Sequence, residues 1–231
     1  HISLSANMNN TLFLKENLCN IGIKHSKRDK LLFLDGDILF DDIDFVDHCS
    51  KLLDQHDVIQ VFDSCVWLDH ENIPLLDYSY KQNIIKGILS NKKISGHIHH
   101  PGFGWGLTRK FIESCGGFYD KCPLGAGDLA FAYAICDKDM KDYIFRKTID
   151  FLKKSKQVFI DTDSYVEYKN KVEKYKPSLG YLQDCTCYHM YHGTKINRDY
   201  SNRTKNYLPL LINNEYPLKY NNDGILEWIN Q

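Results

Sequence analysis

Apolar positions along the chain recur with helical and strand periods in turn. Asn10 or Thr11 can cap a helix running to about Ser26, with Phe13, Leu14, Leu18, Ile21 and Ile23 as its apolar side. Lys30 to Phe40 then carries the run Leu31-Leu32-Phe33-Leu34, short and continuous, as suits a strand buried on both faces. Phe45, Val46, Cys49, Leu52 and Leu53 return at helical spacing, and Val58 to Leu68 reads as one strand rich in β-branched and aromatic residues. Helix, strand, helix, strand in this order predicts a layered α/β fold.

The later chain is more broken. Residues 69–95 read as a polar connection with a helix over 78–90. His97 and His99 share a strand face, and the glycines of Gly102-Phe103-Gly104-Trp105-Gly106 imply close backbone approach to a ligand or another strand. Thr108 caps a short helix, Arg109 to Cys115, stopped by Gly116-Gly117. Asp128 opens an apolar helix from Leu129 to about Cys136. An amphipathic helix is predicted over 142–154, a solvated charged helix over 162–176, a strand from Tyr181 to Tyr191, and a closing strand over 224–229.

Composition narrows the function classes. The 231 residues fit one domain, read here as a single unit over 1–231. A net charge of -1 gives no ground for broad electrostatic binding of nucleic acid. The sequence has no apolar run of membrane-spanning length. Its eight cysteines lack the spacing of a compact zinc site and suit buried free thiols, which favours a reducing, cytoplasmic setting.

The chemistry gathers in three places. Asp35 and Asp37, separated by Gly36, end the apolar strand, where the carboxyl edge of an open sheet presents ligands. Two hard carboxylates invite Mg²⁺, Mn²⁺ or Ca²⁺, and imidazole from His192, with His189, turns the preference toward Mn²⁺. In an ideal strand positions 189 and 192 face opposite ways, so both ligate only if the strand ends or bends near Tyr191, which Gly193 permits. Asp128 is either a helix-start residue or a general base favoured in its ionised form by the helix end. Asp120 is the fallback base. Arg198 and Arg203 either reach a diphosphate or form a solvated face.

Together these stretches resemble the metal-dependent GT-A glycosyltransferases, especially the β-1,4-galactosyltransferase and polypeptide N-acetylgalactosaminyltransferase-like group. The segment Phe13 to Ile23, with Asn20-Ile21-Gly22, looks like the part preceding that group's metal strand. Leu34-Asp35-Gly36-Asp37 looks like its D-x-D motif, and Gly102 to Leu107 its glycine-rich donor-side stretch. Gly116-Gly117-Phe118 with Gly125-Ala126-Gly127-Asp128 resembles its G-G-F and acidic region, and His189-Met190-Tyr191-His192 its late metal segment. The resemblance implies a GT-A (Rossmann-like) mixed sheet flanked by helices and a UDP-sugar donor. The acceptor would be a hydroxyl on a glycan, protein or lipid, reached with inversion. Mn²⁺, or Mg²⁺, would be held by Asp35, Asp37, His189 and His192. Asp35, Lys15, Gly104, Trp105 and Arg198 would bind the donor, and Asp128 would be the base. Where relatives often carry Glu-Asp, this chain has Gly127-Asp128, one carboxyl fewer. Only about thirty residues precede the metal strand, so the N-terminal nucleotide-binding part is expected to be truncated, with uridine contacts absent or supplied by another chain. A metal-dependent phosphoryl-transfer or hydrolase domain, and an inactive sugar-binding remnant, are the competing readings.

Overall fold

The computed structural model describes residues 3–4, 12–75, 81–90, 98–135, 162–193, 205–206, 209, 211 and 218–229. It is a mixed α/β structure with helices flanking mixed sheets. The helices are α1 (Lys15–His25), α2 (Phe45–Leu52), α3 (Ile84–Leu89), α4 (Arg109–Cys115), α5 (Gly127–Ala134) and α6 (Thr162–Tyr175). The strands are β1 (Lys30–Leu34), β2 (Ile38–Phe40), β3 (Val58–Gln60), β4 (Ser64–Trp67), β5 (Lys81–Asn83), β6 (His99–His100), β7 (Gly104–Thr108), β8 (Leu179–Tyr181), β9 (Thr186–His189), β10 (Leu218–Tyr220) and β11 (Leu226–Trp228).

One sheet has the order β1-β7-β3-β8 and another β2-β9-β4-β5-β6, with β10 and β11 forming a separate hairpin. Five chain segments step from one large sheet to the other, at β1–β2, β2–β3, β3–β4, β6–β7 and β8–β9. The single strand expected over 58–68 is therefore two strands in different sheets. Its crossing at Asp63 is fixed by Asn83, whose backbone and side-chain N–H groups both donate to the Asp63 carbonyl at 3.0 Å, and by Lys86 Nζ, 2.6 Å from the carboxylate. The predicted strand over 181–191 divides in the same way.

Strand β7 shows how sequence sets the packing. Its side chains alternate faces, as a period of two requires. Trp105 and Leu107 enter a core with Phe111, Phe131 and Tyr165. Gly104 and Gly106 lie on the other face, where a Cβ would overlap Val61 and Ile59 respectively. The second core joins Ile59, Val61, Phe62 and Phe103 to Phe45 and Cys49 of α2. The glycines thus permit close approach by neighbouring side chains of the sheet.

Two helices differ from expectation. In α1, Leu18 is exposed while Glu16 and Asn17 are buried. Polar anchoring outweighs apolar pattern here: Asn17 donates to the Gly224 carbonyl at 3.0 Å and accepts from the Leu226 amide at 3.1 Å. Asn20 brackets Phe118, donating to its carbonyl at 2.8 Å and accepting from its amide at 3.0 Å. In α6, Tyr165, Tyr168 and Val172 are buried, so the helix expected to be solvated packs one face on the core. The tyrosine hydroxyls make that burial tolerable by donating to the Ala130 and Gly117 carbonyls. Of the helix expected over 78–90, the described part is strand β5 followed by α3. The amphipathic helix over 142–154 lies outside the described residues.

Helix α4 matches its prediction, with Thr108 accepting from the Phe111 amide and Gly116 at φ 95° ending it. The described cysteines other than Cys19 are buried, and all seven are free thiols. Burial pushes Cys19, Cys49, Cys65 and Cys185 up to about 12 and Cys115 up to about 11, with Cys122 and Cys187 also raised.

Arg109 closes the C-terminal end of α1. Its guanidinium donates to the Ile23 carbonyl at 3.3 Å, the Ser26 carbonyl at 2.7 Å and the Arg28 carbonyl at 3.0 Å. A lysine cannot reproduce that planar fork. Arg109→Lys is expected to lower stability by roughly 1–3 kcal/mol, read by denaturant unfolding. An unchanged midpoint would show that α1 is held without it.

Candidate metal centre and cleft

The steps between sheets leave a cleft of about 680 Å³. Asp35 to Asp37 enters it from the β1–β2 step, and Gly102 and Phe103 from the β6–β7 step. Gln60, fully buried, fixes the latter by donating to the His100 and Gly102 carbonyls while accepting from the Ile84 amide.

At one end Asp37, His189 and His192 converge. The Asp37 Oδ2 atom is 3.0 Å from His192 Nε2 and 3.4 Å from His189 Nε2. Their ligand atoms all lie within 4.8 Å of one another. Antiparallel pairing of β2 with β9 sets Ile38 opposite His189, which places Asp37 beside it. The Met190 amide then donates to the Asp37 carbonyl at 2.8 Å. β9 ends at His189, so the chain leaves strand geometry before His192 and both imidazoles face the aspartate. One carboxylate and two imidazoles form a donor set that suits a divalent first-row metal ion, Mn²⁺ among several.

Asp35 does not join this cluster. Its carboxylate is 2.6 Å from Lys15 Nζ, an ion pair at the cleft wall. Lys15 also feels Asp128 and Glu16. Burial, the largest influence, opposes its charge, but the carboxyls together hold the ammonium above its usual value.

Asp128 also lines the cleft, one residue into α5, with its carboxyl beside Gly102 and near the His100 ring. Ala126, at φ 66°, is the capping residue, and Asp128 accepts from the Leu129 amide at 2.7 Å. Its carboxyl is raised rather than held ionised by the helix end. Burial pushes it up, Lys15 and the Leu129 amide pull it down, and Asp35 adds to the rise. Glu16 is raised to about 7, by burial first and then by Asp128, against Lys15.

Other assignments are corrected. Trp105 is 3% exposed and belongs to the core, and Gly104 packs against Val61 and Leu34, because β7 is a central strand. Gly102 and Phe103 line the cleft instead. Asp120 lines a separate cavity beyond α1, held by Asn17, Asn20 and Tyr220. Arg198, Arg203 and His97 lie outside the described residues.

Sequence reasoning missed Glu16, Trp67 and His100. The His100 ring lies 4.1 Å from Phe103 and 5.0 Å from Trp67, centroid to centroid. Burial first, then Lys81 and Lys15, lowers its pKa to about 3 and keeps it neutral. The signal for Glu16 was its place beside Lys15 in the stretch before the metal strand; an apolar-face reading of α1 hid it.

No family model, curated protein or solved structure matches the chain. Among the described residues, no helix is long and apolar enough to cross a membrane.

The cluster generates a metal prediction. Manganese added to the protein is expected to bind at one site, seen as loss of the free-ion electron paramagnetic resonance signal. Asp37→Ala and His192→Ala should each weaken it by about 10-fold or more. Equal binding by either variant places the ion elsewhere.

Glu16 generates a pH prediction. A carboxyl that binds its proton more tightly when folded stabilises below its unfolded value, and that stability is lost as pH rises through the folded one. Thermal stability should therefore decline between about pH 4.5 and about 7, with Asp128 acting in the same sense. Glu16→Gln should flatten the decline. A slope unchanged by the substitution assigns it to other groups.

Proposed function

We propose that this chain is a metal-dependent glycosyltransferase of the GT-A (Rossmann-like) kind. It moves a sugar from a nucleotide-sugar, a UDP-sugar by resemblance, to an acceptor hydroxyl. The observation that carries the reading is one cleft lined by an Asp37–His189–His192 donor set and by Asp128, with Lys15 and Asp35 also on its wall.

Asp37, His189 and His192 would hold Mn²⁺, which when bound supplies positive charge to a departing diphosphate. The chain's own groups do the remainder. Lys15 adds a second positive charge, oriented by Asp35. Trp67, Phe103 and neutral His100 give the cleft an aromatic wall. The acceptor oxygen bonds to the anomeric carbon as the bond to the diphosphate oxygen breaks, and that electron pair leaves with the diphosphate. The hydroxyl proton passes to the Asp128 carboxylate. A single displacement of this kind inverts the anomeric centre.

A screen of sugar nucleotides with Mn²⁺, with and without chelator, tests the reading. Chelator-sensitive donor turnover supports it. Phosphate release from simple phosphomonoesters alone would favour a hydrolase, and sugar binding that needs neither nucleotide nor metal an inactive remnant. Asp128→Asn can keep the contact with the Leu129 amide but cannot take a proton. It should lower turnover about 10²-fold or more, with no loss of thermal stability or Mn²⁺ affinity. Near-normal transfer by this variant removes Asp128 as the base.

A further inference from the structure

Glu16 is 5% exposed, an unusual burial for a carboxyl, and it lines the same cleft as Asp128. Its side chain reaches from α1 to the first turn of α5. There it occupies the space beside Gly127 that any side chain at that position would need: an added Cβ would overlap the Glu16 carboxyl. Gly127 is therefore small because Glu16 is there, and a carboxyl from α1 fills the place beside it. Nothing in the packing of α1 requires an acid at this place, since an apolar residue would fill the volume without the cost of burying a charge.

We propose that Glu16 and Asp128 form one coupled carboxyl pair, in which Glu16 is a positioning residue that sets the proton affinity of the base. This rests on the reading of Asp128 as the base of transfer. The groups facing Glu16 are Lys15 and Cys19 on its own helix, Asp35 after β1, Cys122 from the loop before α5, and Asp128 itself. Lys15 is the cation among them, so it offsets part of the charge on the two carboxyls and leaves the second ionisation disfavoured. Such a pair releases its protons in two steps that belong to both groups. When Glu16 is ionised, Asp128 holds a proton more tightly and takes one from an acceptor hydroxyl more readily. When Glu16 is protonated, Asp128 is the weaker base. Transfer then responds to pH near neutrality through a residue that need not touch the acceptor.

The test is a carbon-13 titration of the full chain with labelled Asp and Glu carboxyls, without metal. One glutamate should titrate at about pH 7 and vanish in Glu16→Gln. Asp128→Asn should lower the Glu16 midpoint by about one pH unit, because Glu16 then loses the negative charge that raises it. The Asp128 midpoint should stay in place in Glu16→Gln, because Gln has the shape of a protonated Glu and Asp128 ionises while Glu16 still holds its proton. Glu16 titrating near 4.5 with ordinary glutamates, or a Glu16 midpoint that ignores Asp128→Asn, overturns the pair. In the transfer assay kcat/KM should rise a second time through about pH 7 as Glu16 ionises, and Glu16→Gln should lack that second rise. A purely structural Glu16 would lower the rate at every pH and leave the second rise in place. Coupled midpoints in a chain that transfers no sugar would sink the transfer reading and the base role with it. Uncoupled midpoints in an active enzyme would sink the pair alone.

Discussion

A half-buried ammonium sets the terms for the cleft. Lys15 sits among Asp35, Asp128 and Glu16, and withdrawing such charges from water is costly unless they meet one another. The meeting depends on α1 lying in one place, because Lys15 and Glu16 come from it while Asp35 follows β1 and Asp128 lies in α5. The helix has correspondingly many polar anchors. Arg109 holds its end, Asn17 ties it to the C-terminal hairpin, and Asn20 ties it to Phe118. A displacement of α1 would separate the ammonium from its carboxyls and leave each charge uncompensated.

The metal-side residues depend on a different constraint, the pairing of distant strands. Asp37 and His189 are neighbours only because β2 and β9 lie antiparallel in register, and β9 is fixed in turn by parallel pairing with β4. Sites assembled where strands end gain precision from the ladders behind them. Here the repeated steps between sheets end several strands near one another, so the cleft is a consequence of the crossings.

Much of this was legible in the chain. A continuous apolar run ending in Asp-Gly-Asp marks β1 and its turn, although β1 is an edge strand with Leu34 exposed and not one buried on both faces, and Thr108 with Gly116 bounds α4 by local capping alone. His189 and His192 face one aspartate because β9 ends at His189, where the Met190 amide turns to the Asp37 carbonyl; Gly193 comes after both and marks only the irregular backbone beyond. What escaped detection was decided by tertiary partners. The inward face of α1 is polar because Asn17 and Asn20 satisfy backbone groups far away in sequence, and an apolar-face count cannot register that. Trp105 looked like a ligand-binding aromatic in a glycine-rich stretch, yet strand alternation sends it into the core and makes the glycines a packing device. The strand over 58–68 was read as one element because both halves are apolar; only the change of sheet at Asp63 divides it.

The buried thiols have a practical consequence. A thiol reacts as its thiolate, and burial suppresses that form at neutral pH. The cysteines are also divided between the two main cores: Cys115 and Cys122 in one, and Cys49, Cys65, Cys185 and Cys187 in the other. An alkylating reagent meets each only when its own core opens. The native chain therefore carries two sets of internal clocks, and the order in which they are labelled records which half of the molecule breathes first.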